Sequence, residues 1–221
     1  MVEAIIFDLD GTLLDSMPMW QNFGRLYLKE LGIEAKDKID RDLFAMTPAQ
    51  SAQYFINHYQ VDKTVPEMVD EMAEIAHRFY ENQVKEKPGA KDFLEFLKSK
   101  EIPLAVATVT NKDSTYAGLK QNNMLDYFSS IVTVADVGIG KEDPAVFLEA
   151  ARKLQAKPEK SVIVEDALHA VKTAKSAKFI TAGIFDQVNH YFQKDLMNTC
   201  DLYLESYQNP ANIFEQLNQL I

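Results

Sequence analysis

The chain has 221 residues, of which 47% are hydrophobic and 25% are charged. These proportions are ordinary for a globular protein that forms one sizeable domain, or one domain that carries a smaller insertion. The formal net charge of −10 argues against nonspecific binding to nucleic acid or acidic membranes, so a local group of cations must attract any anionic substrate.

The first predicted element is a short apolar strand that ends in two carboxylates. The sequence IIFDLDGT begins at Ile5, so Asp8 and Asp10 follow the strand and precede the turn at Gly11. Side chains alternate along a strand, and we therefore expect both carboxylates on the same side. Two adjacent carboxylates repel each other, which usually requires a cation, a shared proton or a catalytic use. The alternative is a plain turn, which the Asp-Gly pair also favours. A turn of this kind would need neither of the two carboxylates.

Residues 16–87 show helical patterns and no convincing strand. Apolar residues recur every three or four positions from Met19 to Leu31, and Gly32 follows as a stop. The sequence at residues 47–50, Thr-Pro-Ala-Gln, predicts a capping box at the start of another helix. A longer helix carries an apolar stripe over residues 65–80, which we interpret as core packing.

From Pro88 onward, predicted helices and strands alternate. The predicted strands are 103–108, 131–137, 161–165, 180–185 and 201–204, and the predicted helices are 90–100, 113–122, 144–154, a helix ending near 177, 191–197 and 210–220. This alternation is typical of an α/β fold with a doubly wound parallel sheet and helices on both faces. We therefore predict a core domain of residues 1–15 and 88–221, with residues 16–87 as a helical insertion after the first strand.

The single cysteine, Cys200, cannot form an intramolecular disulfide, which favours a reducing compartment. No secretory signal peptide is visible, because the chain enters its first strand at once. No apolar run approaches the ~20 residues that a membrane helix requires. The sequence therefore predicts a cytoplasmic protein with neither a membrane nor a nucleic acid as partner.

Polar side chains collect at the predicted carboxyl ends of the strands, where parallel sheets bind ligands. The candidates are Asp8, Asp10, Thr108, Thr110, Asn111, Lys141, Glu165 and Asp166. Oxygen ligands of this kind suit Mg²⁺, and a cation, a lysine and a hydroxyl together could neutralise a phosphoryl group. Taken alone, Thr108 could be an ordinary β-branched strand residue and Lys141 an ordinary solvated surface lysine. The prediction of a site therefore depends on the position that these residues share at the carboxyl ends of the strands.

Four segments resemble the motifs of one enzyme family. The sequence FDLDGTLLDS from Phe7 resembles the first motif of the haloacid dehalogenase-like (HAD) hydrolase superfamily, in its beta-phosphoglucomutase-like and phosphoglycolate phosphatase-like branch. The sequences LAVATVTN around Thr108, GKEDPAVFLEAA from Gly140 and VIVEDALHAV from Val162 are similar to the other three motifs. The resemblance covers essentially the whole chain and implies a Rossmann-like core with a helical cap domain.

The resemblance implies a Mg²⁺-dependent phosphatase that acts on a small phosphorylated metabolite through an aspartyl-phosphate intermediate. It implies that Asp8 is the nucleophile and that Asp10 is the general acid and base. The implied metal ligands are Asp8, Asp166, the backbone carbonyl of Asp10 and, through a water, Glu165. The implied phosphate-binding residues are Thr108 and Lys141, with the backbone amides of Gly11 and Thr12 and, as a further polar contact, Asn111.

Two features of the motifs stay open. Ala167 and Ala170 stand where the family often has serine and glycine, and Lys178 stands where a glycine is usual, which puts the local backbone geometry in doubt. The residue of the second motif is Thr108 if the buried strand ends there, and Thr110 in the alternative register.

Other functions compete with hydrolysis. A phosphomutase of the same fold would need a clamp for a second phosphate, and the candidate cap loop at residues 44–48 lacks an arginine. A dehalogenase is disfavoured by the second aspartate, and a noncatalytic binding protein by the intact set of charged residues. The sequence does not identify the substrate, and we expect a monomer or a weak homo-oligomer.

Overall fold

A computed structural model describes residues 1–36, 39–43 and 46–221, apart from the side chains of residues 40 and 41. The candidate cap loop at residues 44–48 therefore lies partly outside the described residues, at Phe44 and Ala45. The described residues form an α/β fold, which confirms the predicted class.

The sheet has six parallel strands within the described residues. They are β1 Ala4–Phe7, β2 Leu104–Thr108, β3 Ser130–Thr133, β4 Ser161–Glu165, β5 Ile180–Ile184 and β6 Leu202–Leu204. Their order across the sheet is β3-β2-β1-β4-β5-β6, and each neighbouring pair is parallel. The chain therefore starts in the middle of the sheet and extends it in both directions, as a doubly wound sheet does.

Helices cover both faces of the sheet, so its central strands are apolar throughout rather than alternating. Ile5 and Phe7 pack into one hydrophobic cluster, and Ile6 packs into a second cluster on the opposite face. β4 repeats this pattern, with Val162 in the first cluster and Ile163 in the second. Burial on both faces explains why the sequence of each central strand reads as a continuous hydrophobic run.

Twelve α-helices accompany the strands within the described residues. The first five are α1 Met17–Gln21, α2 Phe23–Glu30, α3 Ile39–Leu43, α4 Pro48–Tyr59 and α5 Val65–Asn82. The others are α6 Ala90–Ser99, α7 Lys112–Gln121, α8 Val134–Val137, α9 Ala145–Lys153, α10 Leu168–Ser176, α11 Gln193–Thr199 and α12 Pro210–Gln219. Short 3₁₀ turns occupy residues 125–127, 158–160 and 190–192.

Helices α1–α5 form the helical cap that is inserted after β1, and much of it packs around a hydrophobic cluster of its own that includes Phe55, Met68 and Met72. The predicted capping box at α4 is confirmed. The backbone N–H of Gln50 donates to Thr47 Oγ1 at 3.3 Å, and the Thr47 N–H donates to Gln50 Oε1 at 2.8 Å. The domain boundaries at residues 16 and 87 stay a proposal.

Two segments connect the cap to the sheet, and they run side by side. The N–H of Asp15 donates to the Lys85 carbonyl at 2.8 Å, and the Lys87 N–H donates to the Leu13 carbonyl at 2.8 Å. Helix α5 reaches across this junction, because its Met72 belongs to the cap cluster and its Tyr80 belongs to the core cluster of the sheet. The end of α5 therefore lies against the sheet domain.

Two predicted elements differ from the structure. The strand predicted over 131–137 is wrong beyond Thr133, because α8 begins at Val134, where the Asp136 carboxylate accepts the Thr133 N–H at 2.8 Å. This local hydrogen bond outweighs the β propensity of Val134, and Gly138, with φ +76°, ends the helix. The single helix predicted from Met19 to Leu31 is two helices, α1 and α2, that meet at Asn22.

Lys178 adopts a left-handed backbone conformation, with φ +67°, in the turn between α10 and β5. We expect the Lys178→Gly variant to be more stable than the parent by about 0.5–1 kcal/mol, because glycine adopts this conformation without steric cost. Urea unfolding measures the difference. The Lys178→Ala variant is the control and should show no gain, and an equal gain from alanine would contradict the backbone explanation.

Candidate functional site

The two carboxylates after β1 have different partners. The Asp8 N–H donates to the Val164 carbonyl of β4 at 2.9 Å, which holds Asp8 against the sheet. The Asp8 side chain is buried, and its Oδ1 accepts a hydrogen bond from Lys141. The Asp10 carboxylate lies among hydroxyl groups of other residues. The first strand therefore supplies one carboxylate to a charged cluster and one to a hydroxyl network.

Lys141 joins the ends of β1 and β4. It lies in the turn after α8, and its Nζ donates both to Asp8 Oδ1 and to Glu165 Oε2, the latter at 2.7 Å. All three side chains are buried. The second oxygen of Glu165 accepts the Ala167 N–H at 3.1 Å. Both oxygens of Glu165 thus have protein partners.

Asp166 completes the charged cluster and faces the turn after β1. Its Oδ1 accepts a hydrogen bond from Thr12 Oγ1 at 3.2 Å, and its Oδ2 accepts one from Asn189 Nδ2 at 2.6 Å. A Cβ atom on Gly11 would lie 2.4 Å from Asp166 Oδ2, and Gly11 also has a φ of +75°. The glycine therefore allows the turn to approach the carboxylate.

The charged cluster has more negative than positive groups. Asp8, Glu165 and Asp166 each offer an oxygen within 4.8 Å of the others, and Lys141 is the cation that contacts two of them. Burial, reinforced by the charge of Glu165, raises the pKa of Asp8 to about 8 despite Lys141. Burial, together with the negative charges of Glu165 and Asp8, raises the pKa of Asp166 well above its ordinary value.

A divalent cation fits this cluster. The possible ligands of the cluster are buried carboxylate oxygens, and hard cations such as Mg²⁺ prefer oxygen ligands. Three carboxylates against one lysine leave an excess of negative charge when all are ionised, and a bound cation would offset it.

We expect Mg²⁺ to stabilise the parent protein and not the Asp166→Asn variant. Without the metal, and above about pH 8 where Asp8 is ionised, the variant should melt about 2–4 °C higher than the parent, since ~1 kcal/mol of repulsion between buried carboxylates is removed. Thermal unfolding over a Mg²⁺ titration, with EDTA as reference, measures both effects. Asp126→Asn removes an exposed carboxylate as the matched control. A variant that is stabilised by Mg²⁺ as strongly as the parent would contradict the assignment.

The three candidate residues at the end of β2, Thr108, Thr110 and Asn111, differ in burial and in hydrogen-bond partners. Thr108 ends β2, is fully buried, and accepts the Thr110 N–H on its Oγ1 at 3.1 Å. Thr110 Oγ1 donates to Asp10 Oδ2. Asn111 is exposed, and its Oδ1 caps α7 by accepting the Ser114 N–H at 2.9 Å. Both threonines therefore lie at the end of the strand, and a phosphate contact from Asn111 stays a prediction.

Sequence reasoning missed several residues around the site. Tyr80 donates its hydroxyl proton to Asp10, but its position on an apolar helical stripe indicated only core packing. Asn189 contacts Asp166 and lies outside every recognised motif. Lys87 and Asp186 form a buried ion pair, with 2.9 Å between Nζ and Oδ2. Asp186 could have been found, because it follows β5 at the same edge of the sheet.

Over the residues that the structure describes, none of the helices combines the length and the apolar character needed to cross a bilayer.

The chain is similar to several known proteins. The haloacid dehalogenase-like hydrolase family matches residues 5–184. A phosphorylated carbohydrates phosphatase from Thermotoga maritima is 30% identical over 176 residues, which cover 80% of this chain and 82% of that protein. A phosphoglycolate phosphatase from Nitrosococcus oceani is 27% identical over 198 residues, which cover 85% and 86% of the two chains.

A solved structure supports the same relationship. A Thermotoga maritima protein assigned by inference as a beta-phosphoglucomutase superposes with a TM-score of 0.83 at 27% identity, over 97% of this chain and 99% of that chain. The range matched by the family runs from β1 to β5 and includes the charged cluster around Lys141. The chain therefore belongs to the haloacid dehalogenase-like hydrolase family.

Proposed function

We propose that this hydrolase is a Mg²⁺-dependent phosphatase that cleaves a small phosphorylated metabolite through an aspartyl phosphate on Asp8. One observation carries the proposal: Asp8 is held by Lys141 in a buried acidic cluster at the carboxyl ends of β1 and β4. The similar proteins include phosphatases of phosphorylated carbohydrates and of phosphoglycolate, which supports a phosphate monoester as the substrate.

Asp8 is the proposed nucleophile. One of its oxygens attacks phosphorus, and the bond between phosphorus and the ester oxygen breaks. The ammonium group of Lys141 donates to Asp8, opposes the rise of the pKa of Asp8, and lies where it can neutralise a phosphoryl oxygen. Thr108 is the proposed further donor to the phosphoryl group, with the backbone amides of Gly11 and Thr12.

Asp10 is the proposed general acid and base. It protonates the leaving oxygen, and it later takes a proton from the water that attacks the aspartyl phosphate. Its carboxylate is half-buried and lies outside the charged cluster, so it is free of the direct contact with Lys141 that Asp8 makes. The two aspartates after β1 thus have environments that suit two different roles.

The proposed metal is Mg²⁺. Asp8 and Asp166 would hold it with their side chains, the Asp10 carbonyl would be a third ligand, and Glu165 would act through a water. When bound, the cation would offset the negative charge that the nucleophile and the phosphoryl oxygens bring together.

We also infer a cytoplasmic location and a monomeric or weakly associated state. Cys200 is the single cysteine in the sequence, and burial raises the pKa of its thiol, which favours an inert free thiol in a reducing compartment.

A panel of phosphate esters tests the proposal. Sugar phosphates, nucleotides, phosphoglycolate, flavin mononucleotide and p-nitrophenyl phosphate are assayed with Mg²⁺ and with EDTA, and released phosphate is measured. We expect that at least one metabolite is hydrolysed and that its hydrolysis requires Mg²⁺. Turnover that chelation leaves unchanged, or none on any ester, would contradict the proposal.

A phosphomutase is the second candidate, because one similar solved structure is assigned to that activity. The same panel distinguishes the two, since a mutase converts one sugar phosphate into its isomer and releases little phosphate. Product analysis by ³¹P NMR would detect the isomer directly.

A further inference from the structure

The Asp10 carboxylate has two oxygens with different surroundings. Its Oδ1 accepts two hydrogen bonds, from Ser16 Oγ at 2.6 Å and from the Tyr80 hydroxyl, whereas its Oδ2 accepts one, from Thr110 Oγ1. A carboxylate oxygen has two lone pairs in its plane. Within the described residues, Oδ1 is therefore saturated, and Oδ2 keeps one lone pair that can carry a proton.

Tyr80 links Asp10 to both connections between the cap and the sheet domain. It lies in the last turn of α5, near the returning connection, and it is fully buried in the core cluster of the sheet. Its hydroxyl accepts a hydrogen bond from Trp20 Nε1 at 2.9 Å, and Trp20 lies on α1, just after the outgoing connection. The hydroxyl thus accepts from one side of the junction and donates to Asp10 on the other.

The Tyr80 hydroxyl has a defined orientation. Trp20 Nε1 donates to it, the Thr110 side chain is a further hydrogen-bonding neighbour, and its own single proton is directed at Asp10.

We propose that Tyr80 is a positioning residue that, oriented by Trp20, fixes Asp10 through Oδ1 and leaves Oδ2 as the atom that transfers the proton. This inference rests on the proposed phosphatase function and assigns a role that the family motifs do not include in this chain.

The proton balance of the reaction follows from this arrangement. In the first step, Asp8 forms a bond to phosphorus, the ester oxygen leaves with its electron pair, and the proton on Asp10 Oδ2 moves to that oxygen. In the second step, a water oxygen bonds to phosphorus, the bond to Asp8 breaks, and one water proton returns to Asp10 Oδ2. The products are the alcohol, inorganic phosphate and the original pair of aspartates.

A misaligned general acid affects esters unequally. An alkyl alcohol is a poor leaving group that needs its proton in the transition state, whereas p-nitrophenolate leaves without one. A loss of alignment should therefore lower the rate for alkyl phosphates strongly and for p-nitrophenyl phosphate only slightly. A general loss of structure would lower both rates equally.

The test compares Tyr80→Phe with the matched control Tyr27→Phe. Tyr27 is also fully buried, and its hydroxyl donates to the Glu71 carboxylate at 2.8 Å, but it lies in the cap cluster. For Tyr80→Phe we expect kcat/KM to fall about 10- to 100-fold on the best alkyl ester of the panel, and less than about 3-fold on p-nitrophenyl phosphate. KM should change little, and Tyr27→Phe should act as the parent on both esters.

A second variant covers the case in which Tyr80→Phe does not fold. Trp20→Phe keeps an aromatic ring at the junction and removes the Nε1 donor to the Tyr80 hydroxyl. We expect a smaller loss with the same dependence on the leaving group. Equal losses on both esters, or no loss on either, would overturn the proposed role of Tyr80 but not the proposed phosphatase function. A parent enzyme that shows no Mg²⁺-dependent turnover would overturn the proposed function as well.

Discussion

The Asp8→Asn variant is expected to lose at least about 10³-fold in kcat on every phosphate ester that the parent hydrolyses. The amide is a poor nucleophile, so no aspartyl phosphate can form at this position. The substitution has nearly the same shape, and it removes one of three crowded carboxylates. We therefore expect the variant to fold and to melt no lower than the parent in the absence of metal.

Phosphate release under saturating substrate measures the loss, and circular dichroism measures the fold. Asp126→Asn, which removes an exposed carboxylate far along the chain, controls for the change of charge and should keep the parent rate. A folded Asp8→Asn variant that hydrolyses esters at the rate of the parent would show that the nucleophile is another group.

The Lys141→Ala variant is expected to lose both activity and stability. Removal of the ammonium group takes away a cation at the reacting phosphoryl group, which costs about 10²- to 10³-fold in kcat. It also leaves Asp8 and Glu165 buried without their shared partner. Breaking a buried ion pair in this way typically costs about 3–5 kcal/mol of folding free energy, although protonation of the carboxylates would reduce the loss.

Urea unfolding and steady-state kinetics measure the two effects separately. Lys141→Met keeps an aliphatic chain of similar length, so it should recover packing without recovering activity. Lys153→Ala, an exposed lysine on α9, is the surface control and should change neither quantity. Parent-like turnover by a folded Lys141→Met variant would exclude the lysine from the mechanism.

The sequence was most informative where a strand is buried on both faces. The continuous apolar runs ending at Thr108 and Glu165 predicted β2 and β4 to within one residue, and the ends of parallel strands meet at one edge of the sheet. That rule predicts from the sequence that Asp8, Glu165 and Asp166 lie close together, and the structure places their carboxylates in one cluster.

The prediction of β3 failed where a local polar interaction competes with propensity. Val134 and Val137 favour a strand, but the Asp136 carboxylate binds the Thr133 N–H and starts a helix. A pattern of apolar residues does not contain this hydrogen bond, although an acid three residues after a threonine is a known signature of a helix start.

The hydroxyl network around Asp10 could not be predicted for a different reason. Tyr80 and Asp10 are 70 positions apart, and their contact exists only because α5 ends against the core cluster of the sheet. A tyrosine at the end of an apolar stripe looks the same whether its hydroxyl reaches solvent or a carboxylate. Contacts of this kind depend on how two domains meet, which periodicity within one helix does not specify.

The most direct test of the account is to trap the phosphoryl group on the enzyme. The Asp10→Asn variant, which should form the intermediate and hydrolyse it slowly, is mixed with Mg²⁺ and the best substrate, quenched in acid, digested and analysed by mass spectrometry. The account predicts the added mass of one phosphoryl group on the peptide that contains Asp8, and its absence from an Asp8→Asn sample. Turnover with no phosphorylated peptide, or a phosphoryl group on a different residue, would contradict it.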